Sequence, residues 1–242
     1  MIYAVGDIHG QLEMLESALA WIESDGGRDA RIVFLGDYVD RGPDSAGVIE
    51  RLAQGVVEGR NWTCLLGNHD RMFRLFMGSP PRSDPQLKVG WDWFHPQLGG
   101  RQTLASYGLE ITEETRLFRL HAAARDMIPD HHIEFLHSLV PHHLADELLF
   151  VHAGVQPGVT LENQTEDDLI WIRGAFHDVA DPHPWLVVHG HTPVDAATHY
   201  GNRVNLDTGA GFGYPLSVGV FEDGACHLLT KNGRVALLPE VR

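Results

Sequence analysis

The chain has 242 residues, of which 43% are apolar, so it is long enough for one large domain with a well-buried core. Its 33 acidic and 18 basic side chains give a formal charge of −15, and because such an acidic surface repels phosphate backbones, binding to nucleic acid is not expected. No segment approaches the ~18 uninterrupted apolar residues of a membrane-spanning helix, so no membrane partner is expected either.

The first third of the chain alternates strand and helix patterns. Strand patterns occupy Ile2–Val5, residues 31–35 and residues 62–66. Helix patterns occupy residues 12–22, a segment from Pro43 to about Ala53, and a segment that begins at Arg71. This order predicts a mainly parallel sheet with right-handed crossovers.

The start of the chain and its cysteines indicate a compartment. The first strand begins directly, without the basic head and long apolar run of a signal peptide. Cys64 and Cys226 are the only cysteines, and Cys64 lies in an apolar run, as a buried free thiol does in a reducing compartment. We therefore expect a cytoplasmic protein.

The pattern changes between residues 78 and 143. Prolines interrupt it first, Trp91, Trp93 and Phe94 then cluster, and residues 113–120 and 131–139 have helical spacing. We interpret this segment as a helical insertion, packed over one end of the sheet, in a single domain of residues 1–242. Its aromatic side chains are expected in the core, with some lining a substrate groove.

Strand patterns return in the last hundred residues, at 148–151, 185–188, 203–206, 216–221 and 225–229. Asp223-Gly224 between the last two is a hairpin signal. Late strands joined by short loops suggest a second sheet stacked on the first. The expected fold class is therefore α/β, with two stacked β-sheets flanked by helices and a helical insertion.

Five polar motifs each follow a short apolar run. They are Gly6-Asp7-Ile8-His9-Gly10, Gly36-Asp37-Tyr38-Val39-Asp40-Arg41-Gly42, Gly67-Asn68-His69-Asp70, Val151-His152-Ala153-Gly154 and Gly190-His191-Thr192-Pro193. Ligands of open α/β sheets gather at the carboxyl ends of strands, so these motifs are expected to converge. Their occurrence together, rather than any single motif, indicates one site.

Six of these side chains are typical metal ligands: Asp7, His9, Asp37, Asn68, His152 and His191. Asp7 and His9 lie two residues apart and can face the same ion, while the two oxygens of Asp37 can bridge two ions. Oxygen and imidazole donors without a thiolate suit Mn, Fe or Zn better than Ca. We expect two divalent ions, most of all Mn²⁺, which at ~3.5–4 Å separation activate water and stabilise an in-line displacement at phosphorus.

Four further residues complete a phosphoester-cleaving site. His69 follows Asn68 directly and can protonate a departing oxygen as a general acid. Asp40 can bond His69, which fixes the tautomer and favours the protonated ring. Arg41 and Arg173 are candidates to bind phosphate oxygens, because a guanidinium matches their geometry. Most of the sixteen histidines, such as His131 and His132, are expected to be solvated or structural.

At these residues the chain resembles the phosphoprotein phosphatase branch of the calcineurin-like metallophosphoesterases, and most of all the small bacterial and phage-type Ser/Thr protein phosphatases. The matching motifs run from Asp7 to residues 205–209 and include Trp171-Ile172-Arg173. The resemblance implies a β-sandwich flanked by helices. It also implies two ligand sets, which are Asp7, His9 and Asp37 for one ion and Asp37, Asn68, His152 and His191 for the other.

The same resemblance implies the chemistry. A hydroxide that bridges the two ions would attack phosphorus directly, with His69 and Asp40 as the acid dyad and Arg41 and Arg173 on the phosphate. His189 lies two residues before His191, and the Gly-His-Thr-Pro match selects His191 as the ligand, so a structural role is expected for His189.

Parts of the chain depart from this pattern. Asp70 replaces the glutamate usual in many protein phosphatases, a form also found in relatives that cleave dinucleoside polyphosphates. The segment from His152 to Val155 resembles both groups. Symmetrical diadenosine tetraphosphate hydrolases typically alter the Asp40 and Gly-His-Thr-Pro segments, and both are intact here.

Three functions are therefore compared. The first is a phosphomonoesterase acting on phosphoserine or phosphothreonine, and also on phosphotyrosine, in proteins or small phosphorylated substrates. The alternative is a dinucleoside polyphosphate hydrolase that uses the same two-metal site. The third, an inactive scaffold that binds phosphorylated partners, is disfavoured by the intact ligand set and by His69.

Overall fold

The structure is a computed structural model that describes residues 1–112 and 114–240. In chain order its strands are β1 (Ile2–Val5), β2 (Ile32–Phe34), β3 (Trp62–Cys64), β4 (His142–Ala145), β5 (Leu148–Val151), β6 (Leu186–His189), β7 (Thr198–His199), β8 (Arg203–Asn205), β9 (Val218–Glu222), β10 (Ala225–Thr230) and β11 (Gly233–Ala236). Its α-helices are α1 (Leu12–Gly26), α2 (Ser45–Val57), α3 (Asn68–Met77), α4 (Gly100–Ser106), α5 (Leu117–Met127), α6 (Asp130–Ser138), α7 (Glu166–Trp171) and α8 (Gly174–His177).

The strands form two mixed sheets. The first has the order β11-β10-β9-β1-β2-β3, and its β1, β2 and β3 are parallel, as the alternation of strand and helix predicts. The second has the order β4-β5-β6-β8-β7, with β5, β6 and β8 parallel. The α/β fold with two sheets and flanking helices is confirmed.

Each sheet is buried on both faces, because alternate side chains of its strands enter different hydrophobic clusters. Ile2 and Ala4 of β1 belong to a cluster with Phe150 of β5 and Val188 of β6, so this cluster lies between the sheets. Tyr3, like Val5, points the other way, into the cluster that contains the buried side of α1. Because successive side chains of a strand face opposite sides, β1 is buried on both faces and reads as an uninterrupted apolar run.

Two expectations need correction. The strands β9 and β10 form the predicted hairpin, with Asp223 and Gly224 at positive φ. However, β9 pairs with β1, so the hairpin extends the first sheet. Hairpin signals report local pairing only, so they do not show which sheet receives the hairpin. In addition, α2 begins at Ser45, after Pro43, because the side chain of Asp44 accepts a hydrogen bond from Gly47 N and caps the helix.

Residues 78–143 contain α4, α5, α6 and the start of β4, whereas residues 78–99 have no helix or strand. The helix predicted over 113–120 begins at Leu117, and residue 113 itself lies outside the described residues. Arg71 of α3 ties the irregular part down through two hydrogen bonds, of 2.7 and 2.9 Å, to the buried Asp84. That this segment is an insertion into a single domain stays a prediction.

Cys64 and Cys226 are both free and buried, as predicted for Cys64. Across the described ranges, no helix is long and apolar enough to cross a membrane.

Candidate active site

The predicted ligands come together where strands of the two sheets end. Asp7 and His9 follow β1, Asp37 follows β2, and Asn68 begins α3 after β3. From the second sheet, His152 follows β5 and His191 follows β6. All six are buried, with at most 6% of each residue exposed. Residues 145 positions apart in sequence, such as Asp7 and His152, therefore contribute to one centre.

The backbone at this centre adopts an unusual conformation. Seven of the described non-glycine residues have positive φ, and five of them are predicted site residues: His9, Asp37, Asp40, Arg41 and His191. Such left-handed conformations are costly for residues with a β-carbon and persist where the surrounding structure enforces them, often at functional sites. The loops are thus held in the shape that brings their side chains together.

Two histidines present unprotonated nitrogens to the centre. His9 Nδ1 donates to Val39 O at 2.7 Å, and His152 Nδ1 donates to Leu35 O at 2.9 Å, since a carbonyl can only accept. The Nε2 atom of each neutral ring therefore carries no proton and keeps a lone pair that can bind a cation. Burial, the largest cause in both, lowers the pKa of His9 and of His152, so both rings are neutral at pH 7.

A second group of electron-pair donors lies around the amide oxygen of Asn68. His152 Nε2 lies 3.0 Å and His191 Nδ1 lies 2.8 Å from Asn68 Oδ1. His152 Nε2 also lies 3.4 Å from Asp37 Oδ1. Because His152 Nε2 has no proton to donate, three electron-pair donors converge here without a hydrogen between them. A cation bound among these three atoms would accept their electron pairs and remove the repulsion between them.

Three buried acidic side chains, Asp7, Asp37 and Asp207, lie at this centre. Burial, followed by the charges of Asp207 and Asp37, raises the pKa of Asp7 well above its usual value, and burial raises the pKa of Asp207 to about 6. Burial also raises the pKa of Asp37, but the surrounding histidines lower it more, so its net shift is downward. Asp7 Oδ1 is buried and has no hydrogen-bond partner among the described residues. Buried carboxylates of this kind are normally paired or bound to metal.

These observations fit divalent ions. His9 and Asp37 have ligand atoms within 4.8 Å of one another together with His69, and so do Asp37, His152 and His191. Asp37 is shared by both groups, as expected for a bridging ligand. The sequence analysis did not name Asp207 as a site residue, although Asp207 lies in the segment 205–209 that carries part of the resemblance.

Next to these donors lies a buried hydrogen-bond chain that ends on His69. His69 Nδ1 and Asp40 Oδ2 are 2.6 Å apart. The carboxylate of Asp40, which is fully buried, also accepts from Trp93 Nε1 at 2.9 Å and from Thr103 Oγ1 at 2.6 Å. Every oxygen of Asp40 is thus engaged, and the imidazole of His69 is held in one orientation.

Trp93 and Thr103 contact this site, and the sequence analysis did not single them out. Both come from residues 78–143, which no motif links to the site. Trp93 carries a weak signal, because a buried indole needs a partner for its N–H. Sequence alone does not name that partner, and the structure shows that it is Asp40.

We expect Trp93→Phe to lower kcat about 10-fold with little change in KM or metal content, because one hydrogen bond to a charged group is lost while the ring packing against Phe73 remains. Trp91→Phe is the matched control, since Trp91 stacks on His95 instead. Steady-state kinetics and elemental analysis on both variants provide the measurement. A metal content that falls with Trp93→Phe would show that Trp93 supports the ligands rather than the dyad.

The two arginines occupy different positions. Arg41 Nη2 lies 3.0 Å from His69 Nε2, and its other terminal nitrogen contacts His9 Nε2. Arg173 is exposed as a residue, yet partial burial of its guanidinium lowers its pKa, Asp37 raises it and Arg41 lowers it again. Arg173 therefore lies within electrostatic reach of the centre, and both arginines supply positive charge beside the buried carboxylates.

His189 is excluded from the ligand groups. Its Nδ1 donates to Gly190 O at 3.0 Å, and its ring packs 5.2 Å from the ring of Phe176. Burial lowers the pKa of His189 to about 3. His131 and His132, which were expected to be solvated or structural, both bond Glu50 Oε2 at 2.8 Å.

Asp70 joins the loops that carry the ligands. Its Oδ2 accepts from Asp37 N at 2.8 Å and from Gly67 N at 3.0 Å, and its Oδ1 accepts from Tyr38 N at 2.9 Å. A carboxylate suits this position because all three neighbours are donors. The residue that sets this chain apart from many protein phosphatases therefore positions Asp37.

Close packing around Asp7 allows a test of its position. A β-carbon at Gly190 would lie 1.9 Å from Asp7 Oδ1, whereas one at Gly174 would find its nearest neighbour at 3.7 Å. We expect Gly190→Ala to displace Asp7, to lower bound metal, and to cost about 1–3 kcal/mol of stability through overpacking. Thermal unfolding and elemental analysis are compared with Gly174→Ala, which we expect to behave as the wild type.

Comparison with known proteins agrees with this geometry. The family model described as calcineurin-like phosphoesterase matches residues 1–218. The chain belongs to this family. It is a hydrolase of the metallophosphoesterase type, and membership implies divalent metal ions at the His and Asp groups described above.

Curated relatives of this metallophosphoesterase match most of its length. A protein of Bacillus thuringiensis (strain Al Hakam), named bis(5'-nucleosyl)-tetraphosphatase PrpE [asymmetrical], is 27% identical over 237 residues, which cover 88% of this chain and 87% of the relative. The protein of the same name from Oceanobacillus iheyensis is 30% identical over 227 residues, covering 88% and 85%.

Solved structures share the fold. One that is provisionally assigned as a diadenosine tetraphosphatase has a TM-score of 0.63 at 22% identity and covers 94% of this chain and 92% of the other. A cold-active protein tyrosine phosphatase also gives 0.63, at 14% identity, with 98% and 78% covered. The predicted resemblance is confirmed for the family and for the fold.

Proposed function

We propose that this protein is a metal-dependent hydrolase of dinucleoside polyphosphates that cleaves diadenosine tetraphosphate asymmetrically. The observation that supports this choice most is the 27–30% identity to the two PrpE proteins over 88% of the chain. The preference for a protein phosphatase drawn from the sequence is thereby reversed. That preference relied on the Asp40 and Gly-His-Thr-Pro segments, which symmetrical hydrolases typically alter. The relatives found here are named asymmetrical, so intact segments do not count against them.

The reaction adds water across a phosphoanhydride. The water oxygen bonds to phosphorus, the P–O bond to the neighbouring phosphate breaks, and that phosphate leaves with the electron pair. Divalent ions held at this site would supply Lewis acidity, which lowers the pKa of water and stabilises charge on phosphate oxygens. Asp7, His9 and Asp37 would hold one ion, and Asp37, Asn68, His152 and His191 the other. Mn²⁺ suits this mixture of oxygen and imidazole ligands.

Phosphate binding and proton transfer are assigned to side chains of the protein itself. Arg41 and Arg173 are proposed to bind phosphate oxygens, which offsets the repulsion between a polyphosphate and a protein of charge −15. His69 is proposed to deliver a proton from Nε2 to the leaving oxygen, with Asp40 stabilising the charged ring. The carboxylate of Asp40 needs no water for this role, because Trp93 and Thr103 already donate hydrogen bonds to its oxygens.

A phosphomonoesterase acting on phosphoproteins is the second candidate. The observation that favours it is the 2.6 Å contact between His69 Nδ1 and Asp40 Oδ2, since a serine alkoxide is a poor leaving group that needs a proton donor. A phosphoanhydride leaves as a much weaker base and needs this dyad less.

Turnover of diadenosine tetraphosphate and of a phosphoserine peptide, measured side by side with Mn²⁺ present, tests the proposal. We expect the nucleotide to be preferred, with ATP and AMP as products on ion-exchange chromatography. ADP as the product would contradict asymmetrical cleavage. A preference for the peptide would overturn the substrate class.

A further inference from the structure

Two aromatic side chains stand exposed on the turn that follows β8. Phe212 is 59% exposed and Tyr214 is 63% exposed. Among the large apolar side chains that are exposed in the described part of the chain, one other is a phenylalanine, Phe118 on α5. Aromatic side chains gain much of their stabilisation from burial, so an exposed pair suggests a ligand that covers it.

The turn that carries the pair is held by hydrogen bonds and by two glycines at positive φ. Phe212 N donates to Gly209 O at 2.8 Å and Gly213 N donates to Ala210 O at 2.9 Å. From outside the turn, Gln11 Nε2 donates to Ala210 O at 3.1 Å. Gly209 and Gly213 have φ of 81° and 86°, which a residue with a β-carbon rarely adopts. The rings therefore stand on a fixed base, which lowers the entropy lost when a ligand stacks on them.

The two rings have a common neighbour in the turn. A β-carbon built on Gly209 would lie 3.2 Å from Tyr214 Cδ2 and 3.8 Å from Phe212 Cδ2, so both rings adjoin the same glycine. The pair thus places two exposed rings around one glycine, within reach of a single ligand.

The same turn touches the active site. The guanidinium carbon of Arg41 lies 4.9 Å from the centre of the Phe212 ring. A β-carbon at Gly211 would lie 2.8 Å from His9 Cδ2 and 3.0 Å from Arg41 Cδ, so the turn packs directly on both. A phosphate bound by Arg41 would therefore leave the rest of its molecule beside the rings.

We propose that Phe212 and Tyr214 form a stacking surface for the nucleobase of a nucleotide whose phosphate Arg41 binds. This inference rests on the proposed function and names the part of the substrate that the turn recognises. A nucleobase is flat, aromatic and uncharged, so it can stack on these rings without opposing the negative charge of the protein. The ribose spans the distance between base and phosphate, as it does in every nucleotide.

The experiment uses the variant Phe212→Leu/Tyr214→Leu, which keeps apolar side chains and removes the rings. Phe118→Leu is the matched control, because Phe118 is an exposed phenylalanine with an arginine, Arg119, over its ring at 5.8 Å. Two measurements are made on each protein with Mn²⁺ present. One is KM and kcat for diadenosine tetraphosphate, and the other is inhibition of p-nitrophenyl phosphate hydrolysis by AMP and by ribose 5-phosphate.

We expect the double variant to raise KM for diadenosine tetraphosphate and Ki for AMP by roughly 5–150-fold, the range that follows from base–aromatic stacking. The Ki for ribose 5-phosphate, which has no base, is expected to stay unchanged. Equal weakening of both inhibitors would mean that Phe212 merely holds Arg41, and would overturn the inference.

The two proposals fail differently. Wild-type cleavage of diadenosine tetraphosphate with unchanged KM in the double variant would reject the stacking surface and leave the function standing. The opposite result is also distinguishable. If the wild type did not cleave diadenosine tetraphosphate, the proposed function would be rejected. If AMP nevertheless bound more tightly than ribose 5-phosphate only while both rings were present, the stacking surface would remain supported. AMP and ribose 5-phosphate that inhibit the wild type equally would reject the surface outright.

Discussion

Replacing Asp37 by asparagine is expected to empty the metal centre and to slow hydrolysis by about 10³-fold or more, because several kcal/mol of charge stabilisation in the transition state are lost. Asp37 is the residue shared by both groups of ligands, with His9 and His69 on one side and His152 and His191 on the other. Asparagine offers one oxygen and no charge in this place. We therefore expect both ions to be lost together rather than one.

The substitution is chosen to leave the backbone undisturbed. Asp37 has φ of 54°, a conformation that asparagine also adopts. Its Oδ1 accepts a hydrogen bond from His69 N at 2.9 Å, which an amide oxygen can keep. Asp146→Asn is the matched control, since Asp146 has φ of 53° and is exposed on a turn.

Elemental analysis of both variants, purified and dialysed alongside the wild type, gives the metal content. Turnover of p-nitrophenyl phosphate and of diadenosine tetraphosphate gives the activity. A full complement of metal in Asp37→Asn would show that the two groups do not share this carboxylate, and the two-ion assignment would then be wrong.

The sequence predicted the convergence of these side chains for a physical reason. Each ligand follows an apolar run, and in parallel sheets the carboxyl ends of neighbouring strands meet at one edge. His152 and Asp37 could therefore be expected together although 114 residues of chain lie between them. The short motifs also contain the glycines that the packing requires, such as Gly67, where a β-carbon would lie 2.2 Å from Asp37 Oδ1.

What the sequence could not show depends on contacts between distant segments. Trp93 and Thr103 reach Asp40 from residues 78–143, and their own surroundings in sequence contain no motif. The strand β9 pairs with β1 across more than 200 residues, and nothing in its alternation distinguishes one sheet edge from another. Periodicity reports which face of an element is buried, and the partner on that face is decided by tertiary packing.

The substrate class was the weakest prediction from sequence. The ligands and the dyad serve any phosphoester, so the motifs that carry them do not distinguish a phosphopeptide from a dinucleotide. That choice depends on groups around the centre, such as the exposed ring of Phe212 beside Arg41. Phe212 and Tyr214 lie three and five residues after the segment 205–209, yet only the fold shows that they are exposed.

Replacing His69 by asparagine is expected to separate metal binding from proton transfer. We expect near-normal metal content and a loss of ~10²–10⁴-fold in kcat for an alkyl phosphate such as a phosphoserine peptide, the range for loss of a general acid. His137→Asn is the matched control, because His137 is an exposed helical histidine whose Nδ1 donates to the carbonyl of Ile133.

The leaving group decides how large the loss is. A serine alkoxide is strongly basic and must be protonated as it departs, whereas a phosphate leaving group has a pKa of about 6 and departs without help. We therefore expect the loss to shrink with diadenosine tetraphosphate and with p-nitrophenyl phosphate. Rates for a series of alkyl and aryl phosphates, plotted against the pKa of the leaving group, make the comparison. If His69→Asn slowed every member of the series equally, His69 would be positioning the phosphate or the ligands, and the proton would have to come from another group.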